Sequence, residues 1–351
     1  MSDQTDWLHE RVASAHHVGA ALCISGGGSK AFMGREPVGD ELSLNGHTGI
    51  VDYEPTELVI TALAGTTLDE IERTVAEAGQ MLAFEPPHFG DGATIGGTIA
   101  CGLSGPRRPY TGSARDFVLG VKIINGTGEL LSFGGQVMKN VAGYDVSRLM
   151  TGALGCLGVL TEISLKVLPA PEREHTISFE LTAEQALERV TELSAGTAPL
   201  SAACHVENRL FLRLAGTDAG VSSACHTLGG DSIEQTDFWS QIREHQHPAL
   251  RGDEPLWRLS VPATTPVSAQ FPAQIIDWGG ALRWYRGACD VTEIRHWSAQ
   301  AGGHATAFRG GDRHSDVFHP LSTPVRTLHA RLKAAFDPDN ILNPGRLYAG
   351  L

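Results

Sequence analysis

Three consecutive glycines, Gly26-Gly27-Gly28, follow the apolar run Ala20-Ala21-Leu22-Cys23-Ile24 and lead into Ser29-Lys30. Glycines placed after a strand let backbone N–H groups converge on an anionic oxygen with no Cβ in the way, which is the chemistry of a pyrophosphate cradle. A plain tight turn has the same composition, so this cluster alone does not decide between them. A second cluster, Thr94-Ile95-Gly96-Gly97, adds a hydroxyl, and Gly152, Gly155 and Gly158 keep a G-x-x-G-x-x-G spacing. The Walker pattern G-x-x-x-x-G-K-[ST] is absent, since Lys30 follows Ser29 and precedes Ala31, and no early strand opens into G-x-G-x-x-G.

The other chemistry-bearing residues are scattered. Six cysteines stand at 23, 101, 156, 204, 225 and 289 with no C-x-x-C among them, so reduced, buried thiols are expected rather than an iron–sulfur or zinc site. Fifteen histidines are equally dispersed, and no metal site is expected. Arg258, in Leu256-Trp257-Arg258-Leu259, and Arg283, beside Trp284, are the candidates to clamp a substrate carboxylate. An ordinary ion pair is the alternative for each.

Elements that could position these residues follow from the patterning. Ala20–Ile24, Gly49–Tyr53 and Leu58–Ala62 read as strands, and Thr67 reads as the cap of an amphipathic helix carrying Leu68, Ile71 and Val75. Val118–Ile124, Asn125-Gly126-Thr127-Gly128 and Leu130–Phe133 form a hairpin pattern. The alternating strand Gly158–Val167 ends at Pro169-Ala170-Pro171, a natural boundary. Beyond it the glycines thin out and a βαββα-like texture begins, and a last helix spans Pro324–Phe336.

The chain has 351 residues, enough for two domains, and 27 Lys plus Arg against 40 Asp plus Glu give a net charge of −13. That balance argues against gripping nucleic acid along its phosphates, and Arg107-Arg108 is too small a basic cluster to reverse it. No apolar stretch approaches the ~20 residues of a membrane span, and Met1–Val12 carries three acidic residues, so a cytoplasmic chain is expected.

Five motifs recur in a fixed order: Ile24–Lys30, Ala93–Thr98, Asp116–Gly120, Lys139–Asp145 and Gly155–Glu162. Together they resemble the FAD-binding domain of the vanillyl-alcohol oxidase / p-cresol methylhydroxylase (PCMH) family, and the ending Phe336–Gly345 resembles the tail of its FAD-linked oxidases. The resemblance implies an α+β fold: a PCMH-type FAD-binding domain of two α/β subdomains over residues 1–170, an α/β cap domain over 171–320, and a C-terminal segment, 321–351, returning to the first. It assigns Gly26, Gly27, Gly28 and Ser29 to the pyrophosphate, with Thr94, Gly96 and Gly97 as the second wall of the cradle. Gly102 would let backbone pass near the flavin ring, and Gly158 and Val159 would hold the adenine side through main-chain bonds. Tyr144 and Asp145 fall in a fourth motif, where Asp145 could equally be a helix N-cap.

Within that family, Gly105–Tyr110 and Asp277–Trp284 are similar to the E-subunit family of bacterial glycolate oxidases. The implied partners are a catalytic FAD subunit and an iron–sulfur subunit, the implied substrate is glycolate, and any membrane association would be peripheral, through those partners. Two departures shape the expectation. No histidine stands in the first glycine loop, so FAD is expected to be non-covalent. The H-x-G-D-G-N-x-H pattern of metal-assisted relatives is missing, and Gly303–His314 keeps only His304 of it. A flavin subunit that relays electrons is therefore the leading expectation; a self-sufficient hydroxy-acid dehydrogenase or a non-redox scaffold are the alternatives.

Overall fold

The computed structural model describes residues 1–135, 145–234 and 237–351. These fold into two compact units: residues 1–103, 113–169 and 312–351 form unit 1, and residues 104–112 and 170–311 form unit 2.

Unit 1 opens with helix α1 (Thr5–Val18), whose Leu8, Val12 and Ala15 are buried and which Gly19 ends in the left-handed conformation at φ 67°. Strands β1 (Leu22–Ser25) and β2 (Asp40–Ser43) pair in parallel. Strands β3 (Ile50–Glu54), β4 (Val59–Leu63), β6 (Val118–Ile124), β7 (Leu130–Gly134) and β8 (Val159–Lys166) make an antiparallel sheet in the order β3-β4-β8-β6-β7. Short strands β5 (Gln80–Met81) and β9 (Leu168–Pro169) pair separately. Helix α2 (Leu68–Glu77) is capped as its sequence predicts, the Thr67 hydroxyl accepting from Glu70 N. Its Leu68, Ile71 and Val75 are wholly buried, each worth about 1.5–3 kcal/mol.

Helix α3 (Ile95–Cys101) follows. The chain then contributes the one-turn α4 (Arg108–Thr111) to unit 2 before resuming in unit 1 with α5 (Ala114–Phe117) and α6 (Val146–Leu149). Asp145 is the N-cap of α6, accepting from Arg148 N, which decides between its two sequence readings.

Unit 2 begins with the βαββα series β10 (Arg173–Glu180), α7 (Ala183–Ser194), β11 (Leu200–Val206), β12 (Arg209–Gly216) and α8 (Asp218–Leu228). Glu207 and Asn208 make the β11–β12 turn, both at positive φ. Then come β13 (Asp231–Ile233), α9 (Phe238–Arg243), β14 (Leu256–Ser260), β15 (Ile275–Asp277), β16 (Leu282–Arg286), α10 (Val291–Gln300) and β17 (His304–Arg309). One eight-stranded antiparallel sheet, β13-β10-β12-β11-β15-β16-β14-β17, results. Side chains alternate across it. Ile177, Leu210, Leu212 and Leu214 form one core with Ala186, Val190 and Val221, and Trp257, Leu259 and Ala305 form another with Ile294. The register residues Arg258, Trp284 and Thr306 point to the opposite face. Helix α11 (Thr323–Phe336) returns the chain to unit 1. Among the described residues no helix is long and apolar enough to cross a membrane.

Candidate functional site

In unit 1, β1 runs out into Gly26, and the two glycine clusters are built directly against each other. A Cβ on Gly26 would lie 2.3 Å from Thr94 Oγ1, and one on Gly27 would lie 1.6 Å from the Gly92 carbonyl oxygen. Thr94 accepts from Gly97 N at 3.3 Å as the cap of α3, and Gly96 is pressed against Ala64, to whose carbonyl it donates at 2.8 Å. Glycine is thus required at 26, 27 and 96 by close approach.

The two walls bound an open cleft in unit 1. Gly26, Gly27, Gly28 and Ser29 line one side, and Thr94, Gly96 and Gly97 line another. Gly158 contributes from the start of β8. Among the described residues its charged lining groups are Lys30 and Arg346, so the cleft presents cations and backbone to whatever fills it.

Gly102 and Val159, also assigned from sequence, are not among the described lining residues. Gly102 is the left-handed C-cap of α3 at φ 65°, packed 3.1 Å from Gly152, and is not a lining residue. The Val159 side chain turns into the core opposite Ile124 and alternation along β8 sends Leu160 to the cleft, so any role of Val159 at the adenine side is one for its main chain, as assigned. Tyr144 lies outside the described residues.

Several cleft residues were not picked out from sequence. Lys30, almost fully buried, donates to Ser29 Oγ and to the His88 carbonyl. Asn343 accepts from Ile24 N at 2.8 Å and donates to the Leu154 carbonyl at 2.6 Å, tying two cleft-lining segments together from 319 residues away. Arg346 donates to the Arg35 and Ala31 carbonyls; burial first, and the neighbouring Arg313 second, lower its pKa from the ordinary arginine value. Asn343 lies in the tail motif Phe336–Gly345 and Arg346 directly follows it, but nothing local to either points at the glycine loop. Burial pushes the Cys101 thiol, another cleft residue, up to about 11, so it is neutral at pH 7.

Unit 1 also gathers Asp69, Glu72 and His88. The two ring nitrogens of His88 face separate carboxylates, Glu72 at 3.2 Å and Asp69 at 3.4 Å.

In unit 2 the two arginine candidates differ. Arg283 is buried, and its guanidinium is fully engaged: Nε donates to Gly280 O at 3.2 Å, Nη1 to Pro266 O at 2.7 Å and Nη2 to Thr265 O. It holds a loop rather than presenting a fork to a ligand. Arg258 is half-buried and stacks on Trp278. His245 lies 4.3 Å from the Trp284 ring and 5.2 Å from Phe308, and its pKa falls to about 3 through burial, then through Arg309, Arg258 and Arg286. Its folded value is below its unfolded one, so the stability it confers is complete above about pH 6.5 and is lost as pH falls. We expect that loss to be about 1.4 kcal/mol per pH unit between about pH 6 and 3. Urea midpoints across that window check it, with His245→Gln flattening the profile; an unchanged slope in the variant would count against it.

With this geometry in hand, known proteins can be compared. The glycolate oxidase subunit GlcE of Escherichia coli (strain K12) is 48% identical over 349 residues, covering 99% of both chains. The chain belongs to the GlcE family. The family described as an FAD binding domain matches residues 3–134. The glycolate oxidase subunit GlcD of Bacillus subtilis (strain 168) is 33% identical over 128 residues, 36% of this chain and 27% of that protein. Among solved structures, p-cresol methylhydroxylase superposes with a TM-score of 0.71 at 16% identity, covering 97% of this chain and 87% of the other, and shares its fold.

The residues of this GlcE-family cleft fit FAD, the cofactor of the matched domain. Glycine stands where a Cβ would close the cradle, two cations face the cleft, and among the described residues no carboxylate lines it.

Proposed function

We propose that this chain is the FAD-binding subunit of a glycolate-oxidising complex, taking part in the oxidation of glycolate to glyoxylate and relaying electrons from a catalytic flavin subunit toward an iron–sulfur subunit. The observation that carries this reading is the cation-lined glycine cleft in a chain that matches a glycolate oxidase subunit end to end. FAD, when bound, supplies the capacity to take up and release electrons. Gly26, Gly27, Gly28 and Ser29 offer backbone N–H groups to its pyrophosphate, and Lys30 and Arg346 offset the charge. Thr94, Gly96 and Gly97 close the second wall, and Gly158 supports the adenine side through its main chain. Asn343 fixes the spacing between the wall segments. Among the described residues no histidine lines the cleft, and the Cys101 thiol stays protonated, which supports non-covalent attachment.

Oxidising a 2-hydroxy acid also requires a base near neutrality for the hydroxyl proton. His245, at about 3, is too weak a base, and Arg283 is occupied, which supports the reading that electrons reach this flavin from a partner's catalytic site. We place the chain in the cytoplasm, meeting the membrane only through its partners.

Reconstitution tests the relay. Glycolate-dependent reduction of an artificial acceptor by the three subunits should require this chain and disappear when its FAD cleft is disabled. Equal rates from the two partners alone, measured through the iron–sulfur subunit, would refute it.

A further inference from the structure

Histidines dispersed along the chain show no metal-ligand spacing, yet folding brings one of them, His88, against two carboxylates in unit 1. Asp69 and Glu72 stand three positions apart on α2, which puts them on one face of the helix, and His88 comes from the segment beyond β5. Nε2 of His88 is 3.2 Å from Glu72 Oε2, and Nδ1 is 3.4 Å from Asp69 Oδ1. One ring nitrogen and one oxygen from each carboxylate fall within 4.8 Å of one another. Among the described residues no other three His, Cys, Asp or Glu side chains are so gathered.

Charge and anchoring distinguish this group from a surface ion pair. Among the described residues neither Asp69 nor Glu72 pairs with a lysine or arginine, so two carboxylates share one imidazole. A single imidazolium offsets one of the two negative charges, whereas a divalent cation offsets both. The His88 side chain is only 15% exposed, two residues with fixed φ, Pro86 and Pro87, precede it, and its carbonyl accepts from Lys30 Nζ at 3.2 Å. Thr67 caps α2, so the turn that carries Asp69 and Glu72 is set as well. The ligand atoms come from two anchored segments, and only side-chain torsions need adjust to close them on an ion.

We propose that Asp69, Glu72 and His88 form a binding site for a divalent transition-metal cation, with zinc preferred. One imidazole and two carboxylates are a nitrogen–oxygen set that takes zinc at about 2.0–2.2 Å and leaves the fourth tetrahedral position to water. That geometry separates neighbouring ligands by about 3.3–3.6 Å, and the Nε2–Glu72 edge already stands at 3.2 Å. A single ion uses only one ring nitrogen. Nε2, the closer to its carboxylate, takes the ion with Glu72, and Asp69, the most exposed of the three, turns one oxygen toward it. Magnesium favours oxygen ligands and its own waters, gains little from an imidazole, and should bind poorly. The bound ion clamps the first turns of α2 to the segment that anchors Lys30. The site stands whatever fills the glycine cleft, since none of its three side chains lines that cleft.

Isothermal titration of the untagged, chelator-dialysed full chain with zinc sulfate tests the site. Saturable one-to-one binding is expected, weakened at least about tenfold by His88→Gln and by Glu72→Gln. His314→Gln, which alters an exposed histidine paired with Glu36, should leave it unchanged. Zinc should also raise the thermal unfolding midpoint of the unaltered chain and not that of Glu72→Gln. Glu72→Gln preserves the size of a half-buried side chain on the helix surface, so it keeps the test open even where His88→Gln fails to fold, and circular dichroism checks both. Absence of zinc binding to the unaltered chain, undiminished binding by Glu72→Gln, or magnesium binding as tight as that of zinc would each overturn the proposal. The flavin reading fails separately: a colourless chain that binds zinc through Glu72 loses the flavin function and keeps this site.

Discussion

Gly27→Ala should purify without flavin, binding added FAD at least a hundredfold more weakly than the unaltered chain. The added Cβ would sit 1.6 Å from the Gly92 carbonyl oxygen, well inside any tolerable approach, and the obstacle is backbone rather than a side chain that could swing aside. The loop carrying Gly26–Ser29 must then separate from the loop that ends at Thr94, and those are the two walls of the cleft. A hundredfold loss corresponds to about 2.7 kcal/mol, within reach of overpacking a site that has no room to yield. Gly19→Ala is the control. Gly19 also adopts positive φ, but nothing lies within 4 Å of its Cβ position, so that variant should lose only about 1 kcal/mol of stability and keep its colour. Flavin absorbance per chain and an FAD titration measure both. A fully yellow Gly27→Ala would remove the cradle from the account.

Lys333→Met should be the most destabilising single change in unit 1, by about 3–5 kcal/mol. Lys333 Nζ donates to the Cys156 carbonyl at 2.7 Å, to the Leu342 carbonyl at 2.8 Å and to Asp337 Oδ2 at 2.6 Å, and both members of the pair are buried. Asp337 also accepts from Ile341 N and Leu342 N. Methionine fills the space but strands a buried carboxylate and two carbonyls. The effect should reach the cleft, since Leu342 precedes Asn343 and Cys156 lies beside the cleft-lining Gly155. Asp337→Asn, which keeps an acceptor, should cost less. Thermal and urea unfolding give the comparison, and a loss below about 1 kcal/mol for Lys333→Met would show that the pair does not clasp the tail.

Sequence made some of this visible and hid the rest for identifiable reasons. Gly26, Gly27 and Thr94 were legible because a backbone cradle leaves a compositional mark where it forms. The capped helix at Thr67 and the βαββα series after residue 170 were legible because periodicity is local. Strand β8 was legible as a strand but Leu160 was not singled out, since which of two neighbouring residues faces the cleft depends on the pairing register. Lys30 went unremarked because only its burial beneath the His88 carbonyl, and not its type, distinguishes it. Asn343 and Arg346 act on segments more than 300 residues away, a relation that spacing cannot express. Arg258 and Arg283 looked equivalent in sequence. Their difference lies in three backbone carbonyls that fold around one and not the other.

The most direct test of the central claim is the visible absorption spectrum of the purified chain, taken before and after acid precipitation and again after anaerobic addition of glycolate. The account predicts a flavin spectrum, complete release of the flavin into the acid supernatant, and no bleaching by glycolate until the catalytic partner subunit is added. Bleaching of the isolated chain by glycolate would contradict the relay and make the chain catalytic in its own right. A chain that stays colourless even with excess FAD would contradict the flavin function altogether.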